Sequence, residues 1–267
     1  LPYHKDMRFE GDTPASKLLR IFMPWMRGRR PAWLIRFGLF LYDHLGGRKI
    51  LPATTRVDLV SDPVGVPLQD RFQHAYEYSD CWVEDARLVA LNARDAAARG
   101  ATIMTRTKVV SATKSGDVWV LGLHDQAGGA TREIRAKVLI NASGPWVDAA
   151  IDMAHKTDRP ENIRLVRGSH IVTKRLFDHD KCYFFQGTDG RIIFAIPYET
   201  DFTLIGTTDA DHADAATVPI CTPQEVEYLC NFASGYFKQP VTPDDVVWSF
   251  SGVRGLYDDG EKAASAT

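Results

Sequence analysis

The stretch that most constrains the fold of this chain runs from residue 137 to residue 148. Its apolar run at 138–140 shows no alternation with polar residues, which predicts a strand buried on both faces, as in a parallel sheet. Gly144 and Pro145 then end the strand, and Pro145 suits the first turn of a following helix. Because ligands of open α/β sheets bind at the carboxyl ends of strands, the small residues here predict a binding site. An ordinary turn between strand and helix is the alternative.

The composition is that of a soluble globular protein. Of the 267 residues, 45% are hydrophobic and 25% are charged, and the net charge of -2 argues against general binding of nucleic acid. The four cysteines include no C-x-x-C pair, so we predict neither a metal site nor a disulfide framework, and we expect a reducing cytoplasm. The chain opens with neither a signal-peptide pattern nor an initiator Met, and we expect both of its ends to be cut rather than natural.

The first part of the chain is basic and aromatic. Residues 13–42 contain no acid, and residues 31–42 place four large apolar side chains at helical spacing, namely Trp33, Phe37, Phe40 and Leu41. This block is too short to span a bilayer, which needs about 20 apolar residues. Basic and aromatic side chains on helices predict that residues 16–42 dock on a membrane surface. The alternative is a pair of amphipathic helices packed on the protein's own core.

Periodicity predicts alternating helix and strand first, and antiparallel strands later. The expected elements of the first part are an irregular stretch over 52–67, a strand over 75–78, a helix over 84–99 ending at Gly100, strands over 102–110, 119–124 and 131–140, and a hairpin turn at Gly128-Gly129. Those of the second part are a helix to about residue 155, strands over 165–172, 182–185, 192–196, 202–205 and 246–250, a hairpin turn at Asp189-Gly190, and a helix within 218–237 that starts at Thr222-Pro223.

Several segments carry a family resemblance. Residues 138–146 resemble the V-x-N-A-x-G-x-W segment of FAD-dependent oxidoreductases of the amino-acid-oxidase type. Five further segments are similar, in family order, to those of the quinone-linked, FAD-dependent glycerol-3-phosphate dehydrogenases. They are Arg-Pro-Ala-Trp at 30–33 with Tyr-Asp-His-Leu at 42–45, Tyr-Ser-Asp-Cys-Trp-Val-Glu-Asp-Ala-Arg-Leu at 78–88, Arg-Gly-Ser-His-Ile-Val at 167–172, Ile-Gly-Thr-Thr-Asp at 205–209 and Ser-Gly-Val-Arg at 251–254.

The resemblance implies a mixed α+β and α/β fold, with an antiparallel-sheet substrate domain and a partial, Rossmann-like FAD-binding domain of the amino-acid-oxidase type. We expect a helical, basic part of the substrate domain over 1–75, the partial FAD-binding domain over 76–160, the antiparallel substrate-binding domain over 161–257 and a short tail over 258–267. No two glycines lie two residues apart, so the family's G-x-G-x-x-G motif is absent, as is its later Gly-Gly-Lys segment. We therefore expect the isolated chain to be an internal part of the enzyme, inactive and without bound FAD.

The resemblance also implies a reaction, the oxidation of sn-glycerol 3-phosphate to dihydroxyacetone phosphate with a hydride passed to FAD and electrons to quinone. Arg254, expected in a turn after a strand, is predicted to bind the phosphate, because a guanidinium supplies paired donors to a dianion. His170, expected in a strand, is predicted to remove the hydroxyl proton or to bind substrate. A surface ion pair for Arg254 and a structural core position for His170 are the alternatives.

Further residues of the predicted site follow from the same resemblance. The strand-end residues Thr207, Thr208 and Asp209 are predicted to bind substrate, although a turn would also favour them. The flavin is predicted to contact Asn141, Ala142, Ser143, Gly144 and Trp146. Its adenosine half is predicted to contact the backbone near Thr107 and Val109.

The expected partners are sn-glycerol 3-phosphate, quinone, a membrane surface and, as a possible partner, a second copy of the chain. The expected location is cytoplasmic, peripheral on the inner face of the cytoplasmic membrane. Two other functions stay open at this point: a related FAD-dependent amine or 2-hydroxy-acid oxidase with a carboxylate-binding arginine, and a module that associates with partners without chemistry of its own.

Overall fold

The computed structural model describes residues 31–45, 52–80, 83–155, 163–187 and 189–258. In chain order its α-helices are α1 (Ala32–Leu45), α2 (Asp85–Ala98), α3 (Val147–His155) and α4 (Pro223–Ser234). Its strands are β1 (Thr55–Asp58), β2 (His74–Glu77), β3 (Thr107–Ser115), β4 (Val118–Asp125), β5 (Thr131–Ala136), β6 (Ile163–Lys174), β7 (Tyr183–Gln186), β8 (Ile192–Tyr198), β9 (Phe202–Gly206), β10 (Ala210–Asp211) and β11 (Val246–Tyr257). Short 3-10 helices lie at Pro63–Gly65, Gly144–Trp146 and Pro243–Asp245.

The chain divides into two compact units. The first unit comprises Leu1–Tyr78, His170–Thr207 and Pro223–Trp248, and the second comprises Ser79–Ser169, Thr208–Thr222 and Ser249–Thr267. The division falls inside β6 and inside β11, so each unit holds one part of these two strands. The domain boundaries expected from the sequence remain predictions.

The first unit is built on an antiparallel sheet in which β6 pairs with β9, β9 with β8, and β8 with β7. Each of these four strands is confirmed, with bounds shifted by no more than two residues. Because side chains alternate along a strand, one face buries an apolar layer that includes Ile171, Ile193, Ala195 and Ile205. Helix α4 contacts β9 and buries Leu229, so this face forms the core of the unit.

An aromatic cluster extends this core. Its rings are Phe177, Tyr183, Phe185, Tyr236 and Phe237, with centroids 4.1 to 6.0 Å apart in the closest pairs. The Tyr183 hydroxyl donates to the carbonyl oxygen of Val64 at 2.5 Å, and the His179 Nε2 lies 2.7 Å from the same hydroxyl oxygen. Burial raises the pKa of Tyr183 and lowers that of His179, so both side chains are held neutral near pH 7.

Helix α1 exposes the apolar side chains that the sequence places on one stripe. Trp33 is 68% exposed and Phe37 is 54% exposed, whereas the side chain buried on this helix is Asp43. The Asp43 carboxylate accepts hydrogen bonds from the Thr54 amide and, at 2.9 Å, from the Thr54 hydroxyl. Within the described residues the apolar stripe is not packed on the protein's own core, in contrast to the alternative set out above. The basic segment at 16–30 lies outside the described residues.

The second unit contains an antiparallel sheet of β3, β4 and β5 with a small core. Ala112, Leu121 and Leu123 are buried there, and apolar residues of the following helix α3 pack against them. The predicted hairpin turn between β4 and β5 is confirmed, and Gly129 within it has a φ of 71°, a conformation that favours glycine. Helix α2 is also present as predicted, although it buries none of its side chains.

Three expectations about local structure are wrong. Strand β5 ends at Ala136, and residues 138–143 form no strand, with Val138 69% exposed and Ile140 81% exposed. A strand that is buried on both faces needs a neighbour along each edge, and among the described residues no strand pairs with this segment. Residues 52–67 were expected to be irregular, yet they include β1, which is stabilised by antiparallel pairing with β2. Residues 102–106, expected to be extended, precede the start of β3.

Candidate functional site

His170 lies in the part of β6 that belongs to the first unit, as the sequence predicted for a strand position. It is half-buried and points to the face opposite the buried Ile171. In register, His170 lies opposite Gly206 of β9, which in turn lies opposite Phe194 of β8. Phe194 lies opposite Phe184 of β7, and their ring centroids are 5.0 Å apart. His170 is therefore the polar end of an apolar row that crosses four strands.

Arg254 lies in the second unit within β11, and the expectation that it lies in a turn is wrong. Gly252 does not end the strand, because β11 pairs with β6 and continues to Tyr257. The Arg254 guanidinium donates a hydrogen bond to the carboxylate of Asp209, and its side chain is 48% exposed. The structure thus brings two of the predicted substrate residues together as an ion pair. Because a guanidinium carries five donors, this pair leaves donors for a further anionic partner.

The segment Thr207–Asp209 follows β9, as predicted, with Thr207 in the first unit and the other two residues in the second. Thr208 is buried, and its hydroxyl oxygen accepts a hydrogen bond of 2.9 Å from the Ser169 amide. In return the Thr208 amide donates to the Ser169 carbonyl oxygen at 3.2 Å. Thr208 therefore holds the backbone next to His170.

Two serines that the sequence reasoning did not select complete this arrangement in the second unit. The hydroxyl oxygens of Ser169 and Ser251 are 2.8 Å apart, and Ser169 is fully buried. Ser169 precedes His170, and Ser251 lies three residues before Arg254. Both serines lie inside segments that resemble the family, at 167–172 and 251–254, and this position is the sequence signal that could have identified them.

The predicted flavin segment, 141–146, forms a tight polar turn in the second unit. The Asn141 side-chain amide donates to the carbonyl oxygen of Val147 at 2.9 Å, and the Ser143 hydroxyl donates to the Asn141 side-chain oxygen at 2.5 Å. Gly144 has a φ of 55°, which any other residue would adopt only with strain. Pro145 lies in the first turn of the 3-10 helix that leads into α3, as predicted.

This turn is open to solvent on one side and packed on the other. A Cβ added to Gly144 would meet no atom within 4 Å, and Trp146 is 53% exposed. On the packed side, a Cβ added to Gly255 of β11 would lie 3.2 Å from the Gly144 carbonyl oxygen. The predicted adenosine contacts, Thr107 and Val109, lie on β3, which is an edge strand of its sheet within the described residues. An exposed small-residue turn and an open strand edge can both accept a ligand at the backbone.

Comparison with known proteins assigns the family. The family model described as "FAD dependent oxidoreductase" matches residues 18–265. This chain belongs to that family. The mixed fold and the FAD-dependent family that the sequence predicted are confirmed.

Several relatives of this chain are named for phosphorylated polyol substrates. It is 47% identical over 93% of its length to the D-erythritol 1-phosphate dehydrogenase of Brucella abortus, of which it covers 49%. It is 45% identical over 94% of its length to a glycerol-3-phosphate dehydrogenase of Pseudomonas aeruginosa, of which it covers 48%. The predicted similarity to glycerol-3-phosphate dehydrogenases is confirmed. The chain spans about half the length of the curated relatives it matches.

Solved structures support the same fold. The glycerol-3-phosphate dehydrogenase of Bacillus halodurans, complexed with FAD, superposes with a TM-score of 0.63 at 26% identity, over 79% of this chain and 46% of that one. The L-alpha-glycerophosphate oxidase of Mycoplasma pneumoniae, with FAD bound, gives a TM-score of 0.63 at 15% identity, over 85% of this chain and 59% of that one, which shows the fold alone.

The residues of this chain fit part of a flavin site. An added Cβ at Gly144 would meet no atom within 4 Å, so the turn at 143–146 leaves room for a ligand close to the backbone, and β3 is an edge strand of its sheet within the described residues. The part of the chain that the structure describes contains no group of three or more His, Cys, Asp or Glu that could hold a metal ion. No described helix is both long and apolar enough to cross a membrane.

Proposed function

We propose that this chain is part of an enzyme that oxidises sn-glycerol 3-phosphate to dihydroxyacetone phosphate with FAD and passes the electrons to quinone. The observation that carries the proposal is Arg254, a half-exposed guanidinium fixed by Asp209, in a chain whose relatives are named for phosphorylated substrates. A fixed guanidinium binds a phosphate dianion through paired, charge-assisted hydrogen bonds.

Arg254 binds the phosphate in this proposal, and Asp209 orients Arg254. The sequence predicts that Asp209 contacts substrate, but its carboxylate is bonded to the guanidinium and would repel a phosphate dianion. Thr208 likewise does not contact substrate in this proposal, because its side chain is buried. Its hydroxyl oxygen accepts a hydrogen bond from the Ser169 amide and so holds the backbone beside His170. Thr207 remains the strand-end residue proposed for direct contact.

His170 accepts the proton of the substrate hydroxyl. A neutral imidazole is a suitable base near pH 7, and the half-buried position of His170 on the sheet face limits the water that competes for the proton. The segment from Asn141 to Trp146 holds one side of the flavin, and the β3 backbone near Thr107 and Val109 holds its adenosine part. Bound FAD would accept the hydride that leaves the carbon bearing this hydroxyl group.

The substrate of a second candidate activity is D-erythritol 1-phosphate. The relative named for this substrate is 47% identical, compared with 45% for the glycerol-3-phosphate dehydrogenase of Pseudomonas aeruginosa. The two substrates share a phosphate and hydroxyl groups, so the roles of Arg254 and His170 serve either one. The two substrates differ in the length of their carbon chains. A comparison of kcat/KM for the two would show which one the enzyme prefers.

Delivery of electrons to quinone requires access to a membrane, and α1 supports a peripheral membrane location. Its exposed stripe of Trp33, Phe37, Phe40 and Leu41 matches the apolar face of an interfacial helix. Each Lys or Arg near an anionic membrane adds about 1 kcal/mol, so the basic segment at 16–30 would strengthen the docking. We propose the inner face of the cytoplasmic membrane as the surface.

The proposal is tested by substrate-dependent dye reduction with the full-length enzyme that contains this chain. Activity is expected with sn-glycerol 3-phosphate or D-erythritol 1-phosphate, and little is expected with glycerol, which lacks the phosphate. Reduction with amines or 2-hydroxy acids but not with either phosphate would instead favour the related oxidase. If none of these substrates reduces the dye, the function as an interaction module is favoured.

A further inference from the structure

The imidazole of His170 lies across the backbone of the neighbouring strand at Gly206. Both residues belong to the first unit, and they lie opposite each other in the β6–β9 register. A Cβ built on Gly206 would lie 2.1 Å from the His170 Cδ2 and 2.7 Å from both Cγ and Nε2. Carbon atoms in contact are normally about 3.5–4.0 Å apart. No side chain larger than hydrogen therefore fits beneath the ring in its present orientation.

The glycine at this position is explained by space rather than by an unusual φ. The glycines with positive φ are Gly100, Gly116, Gly129, Gly144 and Gly190, and Gly206 is not among them. Gly206 is buried within a regular antiparallel sheet, where glycine normally weakens a strand. A glycine inside a strand marks a close approach by another group, and here the approaching group is the His170 ring.

The row beyond Gly206 continues with large rings. Phe194 lies opposite Gly206 on its other side and is followed by Phe184, and the two phenylalanines pack edge to face. Gly206 thus leaves a one-residue gap in a row that is otherwise occupied by ring side chains. The His170 ring lies over this gap instead of standing upright from its own strand. Filling the gap with a methyl group would turn the ring about χ1 and χ2 and move both of its nitrogens.

We propose that Gly206 positions the His170 imidazole for proton transfer and so determines the rate through His170 without touching the substrate. This inference rests on the proposed role of His170 as the base. Proton transfer requires the nitrogen to lie within hydrogen-bond reach of the hydroxyl, and an error of about 1 Å in such a position can cost about 10²-fold in rate. Phosphate binding by Arg254 does not depend on this ring.

The test is Gly206→Ala in the full-length enzyme, assayed with the phosphorylated polyol that the wild type oxidises. We expect kcat to fall by about 10²-fold with a smaller change in KM, and the acidic limb of the pH–rate profile to shift. The matched control is Gly38→Ala on α1, where an added Cβ meets no atom within 4 Å. This control should keep the wild-type kcat and pH profile.

A double-mutant cycle separates positioning from a general effect on the fold. In a His170→Ala background the space above residue 206 is vacant, so adding Gly206→Ala should cause no further loss of kcat. The same cycle measured by thermal unfolding should show that Gly206→Ala lowers Tm in the wild type and not in His170→Ala. If Gly206→Ala fails to fold and the double variant folds, the ring contact is still supported.

Three outcomes would overturn the inference. The first is an active wild type in which Gly206→Ala keeps both kcat and the pH profile. The second is an equal loss of kcat from Gly206→Ala with and without His170. The third is an equal loss of Tm in the two backgrounds. A wild type without activity on either phosphate would contradict the proposed function, and the Tm cycle would then decide separately whether Gly206 positions the ring.

Discussion

Replacement of Arg254 by alanine is the perturbation that most directly tests the proposed binding of a substrate phosphate. In the structure Arg254 projects from β11, and its guanidinium is held by Asp209. The substrate phosphate carries the same charge in the ground state and in the transition state. An arginine that binds it therefore contributes equally to both, and its loss should raise KM with little effect on kcat.

The size of the effect follows from the hydrogen bonds that are lost. A hydrogen bond to a charged group contributes about 1.5–3 kcal/mol, which corresponds to about a 10- to 150-fold change in affinity. Because the Arg254 side chain is 48% exposed, solvent weakens the interaction, and we expect KM to rise by about 10- to 30-fold. Arg254→Lys keeps the charge without the paired donors and should lie between alanine and wild type. Asp209→Asn should raise KM less than Arg254→Ala, because it loosens the guanidinium without removing it.

The assay is steady-state dye reduction by the full-length enzyme over a range of phosphate-substrate concentrations, with glycerol as the matched substrate without phosphate. Glycerol should be a poor substrate for the wild type, and Arg254→Ala should change its kcat/KM little. The reasoning would be refuted if Arg254→Ala left KM for the phosphate substrate unchanged. It would be refuted equally if kcat/KM for glycerol fell as far as kcat/KM for the phosphate.

Three further predictions concern other parts of the chain. His170→Ala should lower kcat by about 10²–10⁴-fold and remove the acidic limb of the pH–rate profile; a raised KM at unchanged kcat would identify a phosphate ligand instead. Replacing Trp33 and Phe37 with Ser should release the enzyme from anionic vesicles in a flotation assay, whereas Val60→Ser, at a still more exposed site off α1, should not. Because burial lowers the pKa of His179, the unfolded state binds more protons below about pH 6.5. The free energy of unfolding should therefore fall as pH drops from 7 to 5, and His179→Gln should reduce this dependence in urea titrations.

Much of the local structure could be predicted because it depends on neighbouring residues. Thr222-Pro223 at the start of α4 and Asp189-Gly190 between β7 and β8 are confirmed, because turns and helix starts are governed by backbone preferences of a few residues. The strand position of His170 and the strand-end position of Thr207–Asp209 are confirmed for the same reason. The family segments also identified the FAD-dependent family correctly.

The contacts around the candidate site could not be predicted, because they join residues far apart in sequence. Periodicity around Gly252 does not reveal that β11 continues through Arg254, since pairing with β6 decides it. Nor does it reveal that Asp209 bonds to Arg254, or that Gly206 makes room for the His170 ring. The apolar run at 138–140 shows the reverse case, in which a sequence suited to a buried strand has no pairing strand among the described residues. Sequence by itself determined which short segments turn, extend or coil, whereas strand pairing across the chain decided which side chains meet, because a hydrogen-bonded partner strand sets the register of every residue along it.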